Sequence, residues 1–228
     1  MTNIDSDDLM GTERGARLHG TNSRGRRKRE QILEIAKEHF GNGGYRGVST
    51  AAIAAEAGIT DPGLLHHFQT KAGLLMALLE SRFGRDDEIL AIENNPHGTE
   101  LLSHLDDVVQ ENENNRADVR LFSVLLAESV AEDHPSHEYF AQRYRRARQL
   151  LSASLIDAQK REVIRADVDC DALASALLAL MDGLQYQWLI DETVSMTGAF
   201  RAMSALVADA LRVTAATGGA APHTPIRE

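Results

Sequence analysis

Between Ser49 and Phe68 the chain spells two short helices around one tight turn. Ser49 stands where an N-cap is needed before Thr50–Ala57, and Thr60 before Asp61–Phe68. A hydroxyl at such a position accepts from an N–H that the first helical turn leaves without a partner. Pro62 falls in the first turn of the second helix, where its missing N–H costs no intrahelical bond, so the Thr60 hydroxyl serves Gly63 instead. Gly58 makes the turn. Ile53, Ala54 and Ala57 face a preceding helix, with Ala where two helices cross closely, and Ile59 and Leu64 anchor the second helix from behind.

That preceding helix is written by Ile32, Ile35, Ala36 and Phe40 at helical spacing over residues 28–40, with Gly41–Gly44 ending it. Tyr45 and Val48 are the apolar residues of the connection. A fourth helix starts near Thr70 and runs through Leu74, Leu75, Leu78, Leu79 and Phe83. Asn94–Gly98 breaks the chain, and apolar periodicity then returns at 99–113, 116–131 and 136–160, the last behind Pro135. A further helix opens at Asp167–Asp171 and reaches Trp188, and a final one covers 197–213. No strand or repeat stands out. The expected fold is all-α: an irregular arm (1–23), a three-helix helix-turn-helix domain (24–72), a larger helical domain (73–213) joined to it along the fourth helix, and a disordered tail (214–228).

Composition narrows the function classes. The chain has 228 residues, 43% hydrophobic and 25% charged, a globular mix rich in Ala and Leu. A single cysteine, Cys170, excludes an internal disulfide and any cysteine-rich zinc site and fits a reducing compartment. With no apolar span and an acidic, polar amino terminus, a cytoplasmic protein is expected. There is no phosphate loop, dinucleotide glycine pattern or nucleophile elbow, so neither an enzyme nor a cofactor is expected. The total charge is −10, yet Arg14–Lys71 holds ten Lys and Arg against five acids, a basic module on an acidic body. That division fits a DNA reader whose body resists non-specific adhesion. Arg24–Arg29, with Arg26, Arg27 and Lys28, reads either as a solvated basic tail or as an arm reaching phosphates or a minor groove.

The run Ile32–Phe40, then Gly44-Tyr45, Ser49-Thr50, Ile53-Ala54, Ala57–Thr60, Gly63–Phe68, and Lys71 with Leu74-Leu75, resembles the DNA-binding domain of the tetracycline-repressor-like (TetR/AcrR) family. The resemblance covers about residues 28–78. It implies that Thr60, Asp61, Gly63, Leu65 and His66 face a major groove, that Thr50 and Lys71 contact phosphates, and that His67 touches the DNA backbone or packs inward with Phe68. Two positions depart from the family pattern. Leu65 stands where many relatives carry Tyr, exchanging a phenol–phosphate bond for an apolar contact such as a thymine methyl. Asp61 replaces a residue often basic or neutral; it either accepts from a cytosine amino group or only stabilises the helix start, and the second is favoured because phosphates repel an acid.

The resemblance also implies a homodimer through the last two helices, at about 169–190 and 197–213, with an unknown small-molecule effector bound in the second domain and double-stranded DNA as partner. Release from a pseudo-palindromic operator on ligand binding, hence repression, is the expected outcome; the alternatives are activation, or regulation without a small molecule. Met181, Gln185 and Trp188, with Phe122 and Leu126, are the candidate ligand-pocket residues, against a reading of core packing and dimer contact. Ala172, Ala176, Ala179 and Gly183 give the same helix a small-residue face. His66 and His67 lie about 100° apart around a helix and do not share a metal. His134 and His137, beside Asp133 and Glu138, read as a helix start capped by Ser136 rather than a metal cluster. Cys170 reads as an ordinary small residue rather than a redox sensor, and Tyr144, Arg145, Arg146 and Arg148 as solvated helix surface.

Overall fold

The computed structural model describes the backbone of residues 9–84 and 99–213 and the side chains of 24–84 and 100–213. Among these residues there are nine helices and no strand: α1 (Leu9–Gly47), α2 (Thr50–Glu56), α3 (Asp61–Phe68), α4 (Lys71–Phe83), α5 (Thr99–Glu113), α6 (Arg116–Glu128), α7 (His137–Lys160), α8 (Cys170–Ile190) and α9 (Met196–Leu211). The expected tail beyond Thr214, the Asn94–Gly98 break and the first eight residues of the expected arm lie outside the described residues.

Three caps form as their side chains require. Ser49 Oγ accepts from Ala52 N at 3.2 Å, Thr60 Oγ1 from Gly63 N at 3.2 Å, and Thr70 Oγ1 from Gly73 N at 2.9 Å. The first helix differs from expectation at both ends. Residues 9–23 continue α1 instead of forming an irregular arm; each residue added to an existing helix gains one hydrogen bond, and Met10, Arg14, Ala16 and Leu18 accept helical geometry readily. At the other end the break falls only at Gly44, at φ 67° and ψ 176°. That region is open essentially to glycine alone. Gly41 stays helical and buried, and a Cβ there would sit 3.7 Å from the Leu121 backbone, so α1 passes close over α6.

The start of α7 also differs. Ser136 precedes it but makes no capping bond. Its hydroxyl instead joins a buried cluster, 2.7 Å from Ser129 Oγ and 2.9 Å from His134 Nδ1. Burial of three polar side chains between α6 and α7 is tolerable only if they bond one another, and this outweighs the cap.

Two apolar clusters form the core. The first joins Ile32, Phe40, Ile53, Leu64, Leu74 and Leu78 to Leu121, Phe122 and Leu125 of α6 and Phe140 of α7. The division expected at residues 72/73 falls just ahead of Leu74, Leu75, Leu78 and Leu79 of α4, which pack with the amino-terminal cluster, and that cluster closes only with help from the second half. The second cluster unites α5, α7, α8 and α9 through residues such as Leu105, Leu151, Leu177 and Phe200.

Polar contacts reinforce the α1–α6 seam: Lys37–Asp118 at 3.3 Å, Arg120–Glu38 at 3.2 Å, and Tyr45 N–H donating to Glu128 Oε2 at 2.6 Å. Half-exposed ion pairs such as Arg120–Glu38 contribute at most about 1 kcal/mol. The charge-assisted bond to Glu128 is the stronger clasp. At the far end Glu113 accepts from Met196 N at 2.9 Å and Thr197 N at 3.3 Å, capping α9 from another helix.

Candidate nucleic-acid interface and ligand cavity

Leu64 and Phe68 bury one side of α3 in the first cluster, which leaves the other side outward. Pro62 and His66 are exposed, and Asp61, Gly63, Leu65 and His67 are half-buried. The His66 and His67 rings stand 6.0 Å apart, and His67 lies 6.2 Å from Phe68. Asp61 sits in the first turn, as its helix-dipole role requires, but its Oδ1 is shut off from solvent with no hydrogen-bond partner among the described residues. Thr60 is exposed at the cap and Thr50 half-buried at the start of α2.

The candidate phosphate contacts have structural partners of their own. Lys71 opens α4, with Nζ 4.4 Å from the Tyr45 ring centroid. Burial lowers its pKa, and the Glu128 carboxylate opposes that shift. Lys28 donates to Gln31 and to the Ala57 carbonyl, 3.1 Å away at the end of α2, while Arg26 and Arg27 are exposed. Arg29, the last residue of the same run, lies 5.1 Å over the Phe68 ring and covers the end of α3. The basic run thus lies along α1 beside the turn-and-helix unit rather than apart from it.

A cavity of about 120 Å³ opens between α4, α5, α6, α7 and α8. Of the expected pocket residues, Phe122, Met181 and Gln185 line it. Leu126 packs against the first cluster instead. Trp188 is buried in the second cluster with the Arg116 guanidinium 4.9 Å over its ring. The helical turn between Gln185 and Trp188 carries the indole past the cavity into the α5–α9 core.

The cavity is mostly apolar, through Val108, Val119, Ala147 and Leu178 together with the Phe83 and Phe122 rings, which meet edge to face at 5.4 Å. Its polar wall is made by Arg143 and Tyr144 of α7 and Asp182 and Gln185 of α8, with Asn112 of α5 and Asp118 of α6. Tyr144 donates to Asp182 Oδ2 at 2.6 Å, and Arg143 Nη1 donates to the Phe83 carbonyl at 3.3 Å. Burial pushes Tyr144 upward and the Asp182 carboxyl upward. Burial also lowers Arg143 to about 10, with Tyr144 and Asp182 opposing. Tyr144 is therefore a wall residue and not the solvated surface its three neighbouring arginines suggest. Phe140, Tyr144, Ala147 and Leu151 recur at spacings of four and three, and that signal places Tyr144 inward. Arg143 and Asp182, together with Asn112 and Asp118, are polar wall residues that sequence reasoning missed.

The remaining candidates fall elsewhere. His134 is buried, and because Ser136 N–H donates to its Nδ1 at 3.3 Å, the neutral ring carries its proton on Nε2. No group of metal-ligating side chains occurs among the described residues. Cys170 is buried, and burial together with Asp169 and Asp171 pushes its thiol up, away from the reactive thiolate. Ala172, Ala176 and Ala179 are exposed on α8, with Gly183 half-buried in open space, and Ile190 is 86% and Leu206 68% exposed alongside. No described helix is long and apolar enough to cross a membrane.

Comparison with known proteins accounts for both halves of this arrangement. Residues 32–78 match the model of the bacterial regulatory proteins of the tetR family. Residues 98–212 match the carboxy-terminal model of BetI-type transcriptional repressors. The HTH-type transcriptional regulator TtgR of Pseudomonas putida is 25% identical over 177 residues, 75% of this chain and 84% of that protein. A TetR regulator from Chloroflexus aurantiacus superposes with a TM-score of 0.71 at 21% identity, over 84% of this chain and all of that one. A transcriptional regulator from Saccharomonospora viridis in complex with choline gives 0.63 at 25% identity, over 79% of this chain and 95% of that one. The helix-turn-helix unit, the helical domain behind it and these matches together make the chain a member of the TetR family of transcriptional regulators.

Proposed function

We propose that this regulator works as a homodimer whose two α3 helices enter successive major grooves on one face of a pseudo-palindromic operator, blocking transcription until a small molecule fills the α4–α8 cavity. The observation that carries this reading is that one side chain, Phe122, belongs both to the apolar core beneath the recognition helix and to the cavity wall. Phe83, at the end of α4, lines the same cavity and packs on the same cluster. A ligand that packs better against one placement of these rings favours one placement of α4 and α3, and acts only through that difference in affinity.

Within this reading Thr60, Gly63, Leu65 and His66 meet base edges, while Thr50, Lys71 and the Arg26–Lys28 run meet phosphates. Asp61 serves the helix start, and His67 rests near the backbone. The exposed small-residue face of α8 and the apolar side chains on α9 form the dimer contact, since a lone protomer leaves Ile190 and Leu206 in water. Half-site centres then lie about 34 Å apart. The complex of the Saccharomonospora viridis relative with choline supports a small-molecule ligand for this regulator.

The test is selection of bound fragments from a random duplex pool with the purified protein. Recovery of a two-fold symmetric motif supports the reading. Recovery of no motif, with sedimentation showing a monomer, overturns it.

A further inference from the structure

The cavity carries its own cation. The Arg143 guanidinium lies 5.2 Å from the Phe122 centroid and 5.9 Å from the Phe83 centroid, beside the Asp182 carboxylate that couples to it electrostatically. Two aromatic faces and a desolvated carboxylate are the features that bind an organic ammonium ion. Here both rings are already covered by a side chain tied at its head to the Phe83 carbonyl, with the Asp182 carboxylate near enough to act on its charge. The other carboxylate in the wall, Asp118, is matched by Lys37 at 3.3 Å. A ligand bearing net charge would enter a mostly apolar space whose charges are already paired, and unpaired charge in such a space is costly.

We infer that Arg143 is a specificity-determining residue that occupies the cation site of the cavity, so that the effector is an uncharged molecule, and that removing Arg143 converts the cavity to one that takes organic cations. The inference rests on the proposed ligand role of the cavity.

The test uses two probes of one shape: choline, and 3,3-dimethyl-1-butanol, in which a carbon replaces the quaternary nitrogen. Each competes with the uncharged fluorophore N-phenyl-1-naphthylamine in the full-length protein. The wild type should prefer the alcohol. Arg143→Met should gain about tenfold in choline affinity, the scale of a desolvated cation–aromatic contact. Adding Asp182→Asn should cancel the gain, and Arg143→Lys, which keeps a cation, should retain the wild-type order.

A wild type that prefers choline, or an Arg143→Met protein with no gain, overturns the inference. Should Arg143→Met fail to fold, the wild-type order and Arg143→Lys decide alone. If the fluorophore does not bind the wild type, or binds without affecting DNA affinity, the ligand reading of the cavity itself fails; that outcome is distinct from binding with the wrong charge preference.

Discussion

Gly44→Ala is the change in which local geometry and the seam between the two halves are tested together. Gly44 holds φ 67° and ψ 176°, and an added Cβ would lie 2.5 Å from Glu128 Oε1. The backbone part costs about 1–3 kcal/mol for a residue with a side chain. The contact part follows from what Glu128 does: its Oε2 accepts the Tyr45 N–H at 2.6 Å, so the carboxylate cannot retreat and keep that bond. Losing a hydrogen bond to a charged group costs roughly 1.5–3 kcal/mol. Together the substitution should destabilise the fold by about 2.5–6 kcal/mol, on the order of 10 °C in melting temperature for a chain of this size. Thermal and urea unfolding at fixed protein concentration measure it, since assembly shifts both. In a Glu128→Ala background the contact part is already gone, and the same substitution should cost only the backbone share. A loss below about 0.5 kcal/mol, the range of ordinary surface changes, would refute the strain argument. An equal loss in both backgrounds would refute the contact argument.

Leu64→Ala, which empties the core directly behind the recognition helix, should cost about 2–5 kcal/mol by urea unfolding and reduce affinity for all duplexes alike. Lys71→Ala should weaken binding to every sequence and reduce the log–log salt slope by about 1 in anisotropy titrations, whereas His66→Ala should alter preference among sequences. Burial keeps the folded-state pKa of His134 below its ordinary value, with Glu128 opposing and Arg46 assisting. The unfolded chain therefore takes up that proton first, and stability should fall as pH drops through about 6.5, a slope that His134→Gln flattens in urea midpoints measured from about pH 7.5 to 5.5. Glu113→Ala leaves the first N–H groups of α9 without their carboxylate and should lower stability by about 1.5–3 kcal/mol.

What could be read from the sequence was what depends on near neighbours. Ser49, Thr60 and Thr70 cap because each needs only an N–H three residues ahead, and the outward side of α3 follows from Leu64 and Phe68 pointing the other way. What stayed hidden depends on distant partners. The Ser136 hydroxyl left its expected cap because Ser129 and His134 came within reach. Tyr144 was masked by Arg145, Arg146 and Arg148, although its spacing from Phe140 and Ala147 marks it as inward. Arg143 and Asp182 reach the cavity from different helices, and no local pattern pairs them. Leu126 and Trp188 lie one turn from Phe122 and Gln185, close enough in sequence to suggest a shared wall, but Leu126 packs on the first cluster and Trp188 in the second.

The most direct test of the account is a hydroxyl-radical footprint of the protein on a duplex recovered from the random pool. Two protected patches centred about one helical turn apart, on one face of the duplex and lost together in Lys71→Ala, are predicted. A single protected patch, or protection spread evenly along the fragment, would contradict the paired-helix geometry on which the account rests.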